Sequence, residues 1–272
     1  MSATSLPTSE GDRRLPAGRK ADLAAFVGEA GQVTVARLAE RFDVSPDTIR
    51  RDLDQLDADG VLIRTHGGAV SLSALPRADT GLDVRLRLQT AAKEQIGALA
   101  AGLIEDGTAI MINAGTTTLA LVRHLRDHRE LTVATNSLRI PAEISPTVFR
   151  DLYVFGGAVR LTAQATVGPV SFQAAVGDDR DIQCDLALIS VGAVSTGGYS
   201  TSNLGEAAMM NDMMDRASRV AILADSSKFG RRLFAQVADL GRATYLVTDA
   251  APPAELADAL REHDVEVLLP PA

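Results

Sequence analysis

The 272-residue sequence predicts an α/β fold in two parts: a small helical domain, then a larger α/β domain built on a mostly parallel sheet. Three observations carry that prediction. Residues 20–60 hold three stretches with apolar residues at helical spacing. From residue 108 onward, short apolar runs alternate with helical stretches. Near-continuous apolar strands are buried on both faces, as in a parallel sheet covered by helices. Between the two parts lies "SLSALPRADTG", a stretch with no periodicity that reads as a linker.

In the first helix, "KADLAAFVGEAG", Leu23, Phe26 and Val27 share one face and Gly31 supplies the stop. In the second, "TVARLAERFDV", Thr34 is placed as N-cap, and Val35, Leu38, Ala39 and Phe42 fall at helical spacing. The third starts at Pro46. Ser45 is held extended by the proline after it and suits an N-cap, and Asp47 meets the positive end of the helix dipole. A step of about 100° per residue gathers Ile49, Leu53 and Leu56 on the core face. It turns Thr48, Arg51 and Gln55 outward, with Arg50 at the margin, while Asp54, Asp57 and Asp59 come later. "GVLIRTHGGAV" follows, a β-prone run in which Gly67-Gly68 suits a hairpin; it carries Arg64 and His66 and no acid.

The larger domain opens with a long helix predicted over 83–105. Strands are predicted at 108–114, 131–136, 151–157, 184–193, 219–227, 243–249 and 264–269, and helices at 116–126, 205–217 and 253–262. The boundaries are a polar tail over 1–19, expected to be disordered, a first domain over 20–72, a linker over 73–82 and a second domain over 83–272.

Composition narrows the function. The net charge is −8, so contact with nucleic acid must come from a local basic patch. A single cysteine, Cys184, fits a reducing compartment. The start has no apolar signal region and no run nears the ~20 apolar residues of a membrane span, so the protein is expected in the cytoplasm. The histidines His66, His124, His128 and His263 are scattered and suggest no metal, and no cofactor is expected.

Two sites emerge. Arg50 and Arg51 stand at the leading end of the third helix, the end that a helix-turn-helix protein inserts into the major groove. There they reach guanine edges or phosphates, and the acids further along lie away from the duplex. The plainer reading is a solvated face with an Arg50–Asp54 pair worth ~0.3–0.5 kcal/mol. In the second domain, "TAIMINA" runs into "GTTTLALVRHL". A strand followed by glycine, hydroxyl residues and a helix start can cradle a phosphate. Other strand ends carry Asn136, Ser137, Gly156, Gly157, Gly192 and Lys228, and in a parallel sheet such ends gather at one crevice.

The stretch "VTVARLAERFDVSPDTIRRDLDQLDADGVLIRTHGGAV" resembles the winged helix-turn-helix of the DeoR family of bacterial transcriptional regulators. Residues 85 to about 250 resemble that family's sensor domain, through "AAKEQIGALAAGLI", "INAGTTT", "TNS", "FGG", "CDLALISVGAV", "GEAA" and "ADSSKFG". The sensor fold is related to sugar-phosphate isomerases such as ribose-5-phosphate isomerase. The resemblance implies a regulator, most often a repressor, of carbohydrate metabolism genes. Its expected partners are double-stranded operator DNA, a phosphorylated sugar-type effector and further copies of itself, as dimer or tetramer. Residues expected at the duplex are Ser45, Asp47, Thr48, Arg50, Arg51, Gln55, Arg64, His66 and Gly67. The family pattern assigns phosphate contact to Gly115, Thr116 and Thr117. It lines the crevice with Asn113, Asn136, Ser137, Gly156, Gly157 and Gly192, and draws charge from Lys93, Glu206 and Lys228.

The sequence departs from the pattern at Asn113, where many members have an acid, and at Met210 and Asn211, where many have a basic pair. An effector outside the usual class, or an altered site, stays open. An isomerase-like enzyme is the competing reading, with Glu206 as its base. Plain surface positions are the alternative for Lys93, Lys228 and Glu206, and a DNA-binding protein that has lost its effector is the third reading.

Overall fold

A computed structural model describes residues 16–58, 61–65, 67–71, 82–168, 170, 172–173, 179–180 and 182–271. The expected tail as far as residue 15, nearly all of the expected linker, Asp59 and His66 lie outside these residues. The chain divides into one unit ending at Arg77 and a second beginning at Ala78.

The first unit runs α1 (Pro16–Ala30), β1 (Gln32–Thr34), α2 (Val35–Phe42), α3 (Pro46–Ala58), β2 (Leu62–Thr65) and β3 (Gly68–Ser71). Thr34 caps α2 by accepting the Arg37 backbone N–H at 3.3 Å, and Asp43, at φ 49°, ends it. Leu23, Val27, Leu38, Ile49, Leu53, Leu56 and Leu62 are all buried and form one core. The strand β1 was not expected. It pairs antiparallel with β3, which also pairs with β2, so the hairpin is widened to three strands. Three residues are too few to show a period; only Val33, buried between exposed Gln32 and Thr34, marks the strand. Gly68 makes the pairing possible, since a Cβ there would lie 2.0 Å from the Val33 carbonyl oxygen. Arg19 on α1 donates through Nε to buried Asp52 on α3 at 2.7 Å, which raises the guanidinium's pKa and clips the two helices together.

The second unit begins with α4 (Leu82–Arg87) and α5 (Thr90–Ala101). The predicted helix over 83–105 is therefore two helices. Gln89 stands between them in the left-handed region at φ 51°, and the Lys93 ammonium donates to the carbonyls of Arg85 and Leu88, satisfying the open end of α4. The chain continues through β4 (Ala109–Ile112), α6 (Thr116–Arg123), β5 (Leu131–Thr135), α7 (Ile140–Glu143) and β6 (Phe149–Val154). Next come a hairpin arm, β7 (Ala158–Arg160) with β8 (Ala165–Val167), and the short pair β9 (Phe172–Gln173) and β10 (Asp179–Arg180). The last part holds β11 (Cys184–Ser190), β12 (Ala193–Ser195), β13 (Gly198–Thr201), α8 (Leu204–Asp215), β14 (Ala217–Leu223), β15 (Ala235–Ala238), β16 (Tyr245–Val247), α9 (Ala254–Glu262) and β17 (Glu266–Leu268).

The predicted strands form one seven-stranded sheet in the order β17-β16-β14-β11-β4-β5-β6, with every neighbouring pair parallel. Burial alternates between two cores. Ile110, Ile112, Leu186, Leu188, Ala221 and Leu223 face one of them, with Ile96 of α5 and Leu119 and Val122 of α6. Met111, Ala187, Ile189, Val220 and Ile222 face the other, with Met209 and Met213 of α8 and Leu256 and Leu260 of α9. Both faces are covered, which is why these strands read as continuous apolar runs. The arm, the β9–β10 pair and the antiparallel sheet β12-β13-β15 were not predicted. Among the described residues no helix is long and apolar enough to cross a membrane.

Candidate functional site

The outward face of α3 is built as its spacing requires. Ser45 Oγ accepts the Thr48 backbone N–H at 3.2 Å and lies 2.9 Å from the Thr48 hydroxyl, a side-chain cap on the first turn. Arg50, Arg51 and Gln55 are exposed. Arg50 pairs with exposed Asp47 rather than with Asp54. Asp54 is taken by Arg64 of β2, whose backbone N–H also donates to Asp57 Oδ1 at 3.0 Å. The acidic second half of α3 therefore holds the β2–β3 hairpin by its arginine, a use of those aspartates that the sequence did not show. Gly67 is exposed and its carbonyl accepts the Val35 N–H at 2.9 Å, joining the hairpin tip to the start of α2. Two further exposed arginines, Arg37 and Arg41 of α2, were missed. Their guanidiniums lie 6.0 and 4.7 Å from the Phe26 ring centroid, a stacking that holds them in place. Their only sequence signal was their place on the polar side of α2.

The second site lies at the carboxyl ends of the parallel strands. Gly115 caps α6 in extended geometry, and a Cβ on it would come 1.8 Å from Ser190 Oγ, so glycine lets the end of β11 approach. Thr116 and Thr117, both buried, open α6, where the first backbone N–H groups lack helical partners. Thr118 turns its hydroxyl inward to the carbonyls of Asn113 at 2.7 Å and Gly115 at 3.0 Å.

Two asparagines join the strand ends. Asn113, after β4, donates to the Ser190 carbonyl at 2.9 Å and accepts the Ser190 N–H at 2.8 Å. A carboxylate could make only the second of these bonds, so the amide fits the place. Asn136, after β5, accepts the Ala114 N–H at 2.7 Å and donates to the Thr166 carbonyl in the arm at 2.9 Å. Ser137 bridges to Ala165, and its Oγ accepts the N–H groups of Arg139 and Ile140 at the start of α7. Gly156 is exposed; Gly157, at φ 132°, lets the chain pass the Val167 carbonyl at the base of the arm. Gly192 packs under Leu233 and donates its N–H to the Ser200 carbonyl at 3.0 Å. Met210 is part of the core under α8, and Asn211 donates to the Val237 carbonyl at 3.1 Å. Both departures on α8 thus have internal partners.

Charge at this edge comes partly from residues the sequence reading passed over. Lys93 is only 6% exposed, not a surface lysine. Burial drives its pKa down to about 8; Asp225 opposes that shift, and Lys228 and Arg85 add to it. Arg85, on α4, is lowered first by burial, with Glu206 opposing and Arg160 adding. Arg160, on the arm, lies 3.2 Å through Nε from Glu206 Oε1, while Thr201 donates to Glu206 Oε2 at 3.3 Å. Asn203 caps α8 by accepting the Glu206 N–H at 3.0 Å. Asp225 is buried and accepts from the Ser227 N–H and hydroxyl. Arg85, Lys93, Arg160 and Lys228 thus gather near Glu206 and Asp225. Glu206 is held in an ion pair with Arg160, and burial pushes the Cys184 thiol up to about 12, away from nucleophilic use. Among the described residues no three His, Cys, Asp or Glu side chains gather as a metal site.

A capped helix presenting arginines beside a three-stranded wing is a winged helix-turn-helix, and cations at the strand ends of a parallel sheet suit an anionic ligand. Together they define a ligand-responsive DNA-binding regulator. The chain belongs to the DeoR family of transcriptional regulators: residues 19–74 match the DeoR-like helix-turn-helix domain and residues 88–250 the DeoR C terminal sensor domain. The HTH-type transcriptional repressor CsqR of Escherichia coli K12 is 32% identical over 255 residues, covering 93% of this chain and 95% of that protein. The glycerol-3-phosphate regulon repressor of the same strain is 28% identical over 247 residues, covering 90% and 95%. Among solved structures, ribose 5-phosphate isomerase from Plasmodium falciparum aligns over 50% of this chain and 52% of its own, with a TM-score of 0.35 and 10% identity, too distant to bear on function.

Proposed function

We propose that the protein is a repressor of carbohydrate metabolism genes, released from or held on its operator by a phosphorylated sugar-type effector in the strand-end crevice. The cations gathered at that crevice support the reading. Lys228 and Arg85 act on buried Lys93, and Arg160 lies beside Arg85 against Glu206. The name of the glycerol-3-phosphate regulon repressor points the same way. The phosphate is assigned to the α6 end at Gly115, Thr116 and Thr117, within walls held by Asn113, Asn136 and Ser137.

On the DNA side, Arg51 and Gln55 are assigned to the major groove, with Thr48 and Ser45 at its edge and Arg50 released from Asp47 on docking. Arg64 and Gly67 belong to the wing, with His66 between them. A helix-turn-helix protein reads paired half-sites, so the working unit is a homo-oligomer. No catalytic role is assigned, because Glu206 is already bound to Arg160 and Thr201. The test is to select duplex fragments with the purified protein, then titrate the complex with sugar phosphates. Fragment enrichment with effector-dependent release or retention is expected. Enrichment that no sugar phosphate alters would leave a DNA-binding protein without this effector class.

A further inference from the structure

We infer that the effector carries a second anionic group, bound between Arg85 and Arg160 and separate from the phosphate at the α6 end. The inference rests on the sensing role proposed above and narrows its ligand class. It starts from a buried polar atom on each arginine. The Nε–H groups of Arg85 and Arg160 are both buried and neither makes a hydrogen bond. Arg160 Nε lies close enough to Glu206 for an ion pair, yet misaligned for a hydrogen bond, so the attraction is Coulombic and the N–H points elsewhere. Buried donors of this kind are rare and costly, and a ligand that accepts from them removes the cost.

The two arginines also arrive together. The backbone N–H of Leu82, at the start of α4, donates to the Thr162 carbonyl at the tip of the arm at 3.1 Å. That bond ties the helix carrying Arg85 to the hairpin carrying Arg160. Arg160 is close enough to act on the Arg85 guanidinium, whose pKa is lowered first by burial and further by that like charge, and Glu206 attracts both. The arm is seated on the crevice: Arg160 is paired in register with Ala165, and Ala165 bridges to Ser137 at the end of β5. Among the described residues one carboxylate, Glu206, serves both guanidiniums, so positive charge remains for a second anion.

Three of the polar side chains that would suit a neutral sugar, Asn113, Asn136 and Ser137, are occupied. The side-chain amides of Asn113 and Asn136 are each engaged on both sides with backbone of neighbouring strands, and Ser137 Oγ caps α7. The unmet donors are guanidinium N–H groups, and a guanidinium is matched by a planar carboxylate or a phosphate rather than by a hydroxyl. The ligand end remote from the phosphate is therefore a carboxylate, as in a phosphorylated sugar acid, or a second phosphate, as in a bisphosphate.

The experiment is calorimetric titration of the full chain with matched probes of three to six carbons. Each sugar phosphate is compared with its phosphorylated sugar acid, its bisphosphate and its unphosphorylated diacid. In at least one set, the sugar acid phosphate or the bisphosphate is expected to bind about ten- to a hundredfold tighter than the sugar phosphate, as one charged hydrogen-bonded contact would give. The stronger of the two identifies the second group. Arg160→Gln and Arg85→Gln should weaken the sugar acid phosphate or the bisphosphate by a larger factor than the sugar phosphate, so that the preference is lost. Arg160→Lys, which keeps the charge and loses the planar fork, should recover part of it. Equal affinity for sugar phosphates and their acids, or a variant that weakens all probes by one factor, would overturn the inference and leave the sensing role standing. Arginine-dependent binding of the unphosphorylated diacid alone would keep the second anion point and remove the phosphate. Absence of binding by every probe would end both.

Discussion

The molecule treats its cations in two opposite ways. On α3 and the wing they are exposed and lightly engaged: the Arg50–Asp47 pair has side-chain exposures of 52% and 77%, and Arg64–Asp54 of 36% and 52%. Such pairs contribute little to stability and exchange readily for phosphates of a duplex. At the strand ends the cations are partly withdrawn from water, Lys93 most of all, at 6% exposure and with its pKa lowered to about 8. Open cations suit a long polyanion that supplies many contacts at once. Withdrawn cations suit a small anion that must offset their burial by itself. A chain of net charge −8 can serve both because each group of cations acts locally.

The difference is open to attack at several points. The largest effect is expected at the asparagine clip. Asn113→Asp exchanges a donor for a buried carboxylate facing the Ser190 carbonyl, and should cost about 3 kcal/mol in chemical denaturation of the second unit. A loss below a few tenths would mean that the amide is not needed there.

Lys93 gives a pH signature. Its folded pKa is depressed, so the folded chain gives up this proton earlier than the unfolded one. Stability from this group is absent below about pH 8 and grows as pH rises towards 10.5, by on the order of 3 kcal/mol in total. Cys184, with its thiol pushed up to about 12, acts in the reverse sense above pH 9. The readout is therefore the difference between the wild type and Lys93→Met, which should widen with pH in favour of the wild type. A flat difference would place Lys93 in water. An anionic effector favours the ammonium, so its affinity should fall over the same range, set by Asp225, Lys228 and Arg85 around the lysine.

Arg51→Ala should weaken operator binding by ~1–3 kcal/mol if the guanidinium reads a guanine edge. If it meets phosphate, the loss will be similar on all sequences, with a shallower salt dependence. Unchanged binding in both assays removes Arg51 from the interface. The smallest effect is at Asp47→Ala, which frees Arg50 at ~0.5 kcal/mol or less in stability and should speed association with DNA at low salt. A slower association would show that Asp47 itself takes part in docking.

Legibility followed the same division. The central parallel strands were visible because burial on both faces makes them continuous apolar runs, as in "CDLALIS". The α3 face was visible because helical spacing alone separates Arg51 from Leu53. The break at Gln89 was hidden, since its cause is a lysine four residues later reaching back to two carbonyls. The strand β1 was hidden because it exists only through the hairpin that it joins. At the crevice, Gly115 to Thr117 could be placed from the strand-glycine-helix pattern. Arg85 and Arg160 could not, as nothing local tells a helix or hairpin arginine that it will meet a glutamate far along the chain. Asn113 and Asn136 show the remaining ambiguity: a polar residue at a strand end looks alike whether it holds a ligand or the neighbouring strand.

The strand order carries a consequence for the newborn chain. The centre of the large sheet pairs β4 with β11, so it cannot close before residue 190 has left the ribosome, whereas the winged domain is complete at residue 71. At ordinary elongation speeds that gap lasts roughly 6–24 s. During synthesis the winged domain is thus whole for some seconds before the parallel sheet can close.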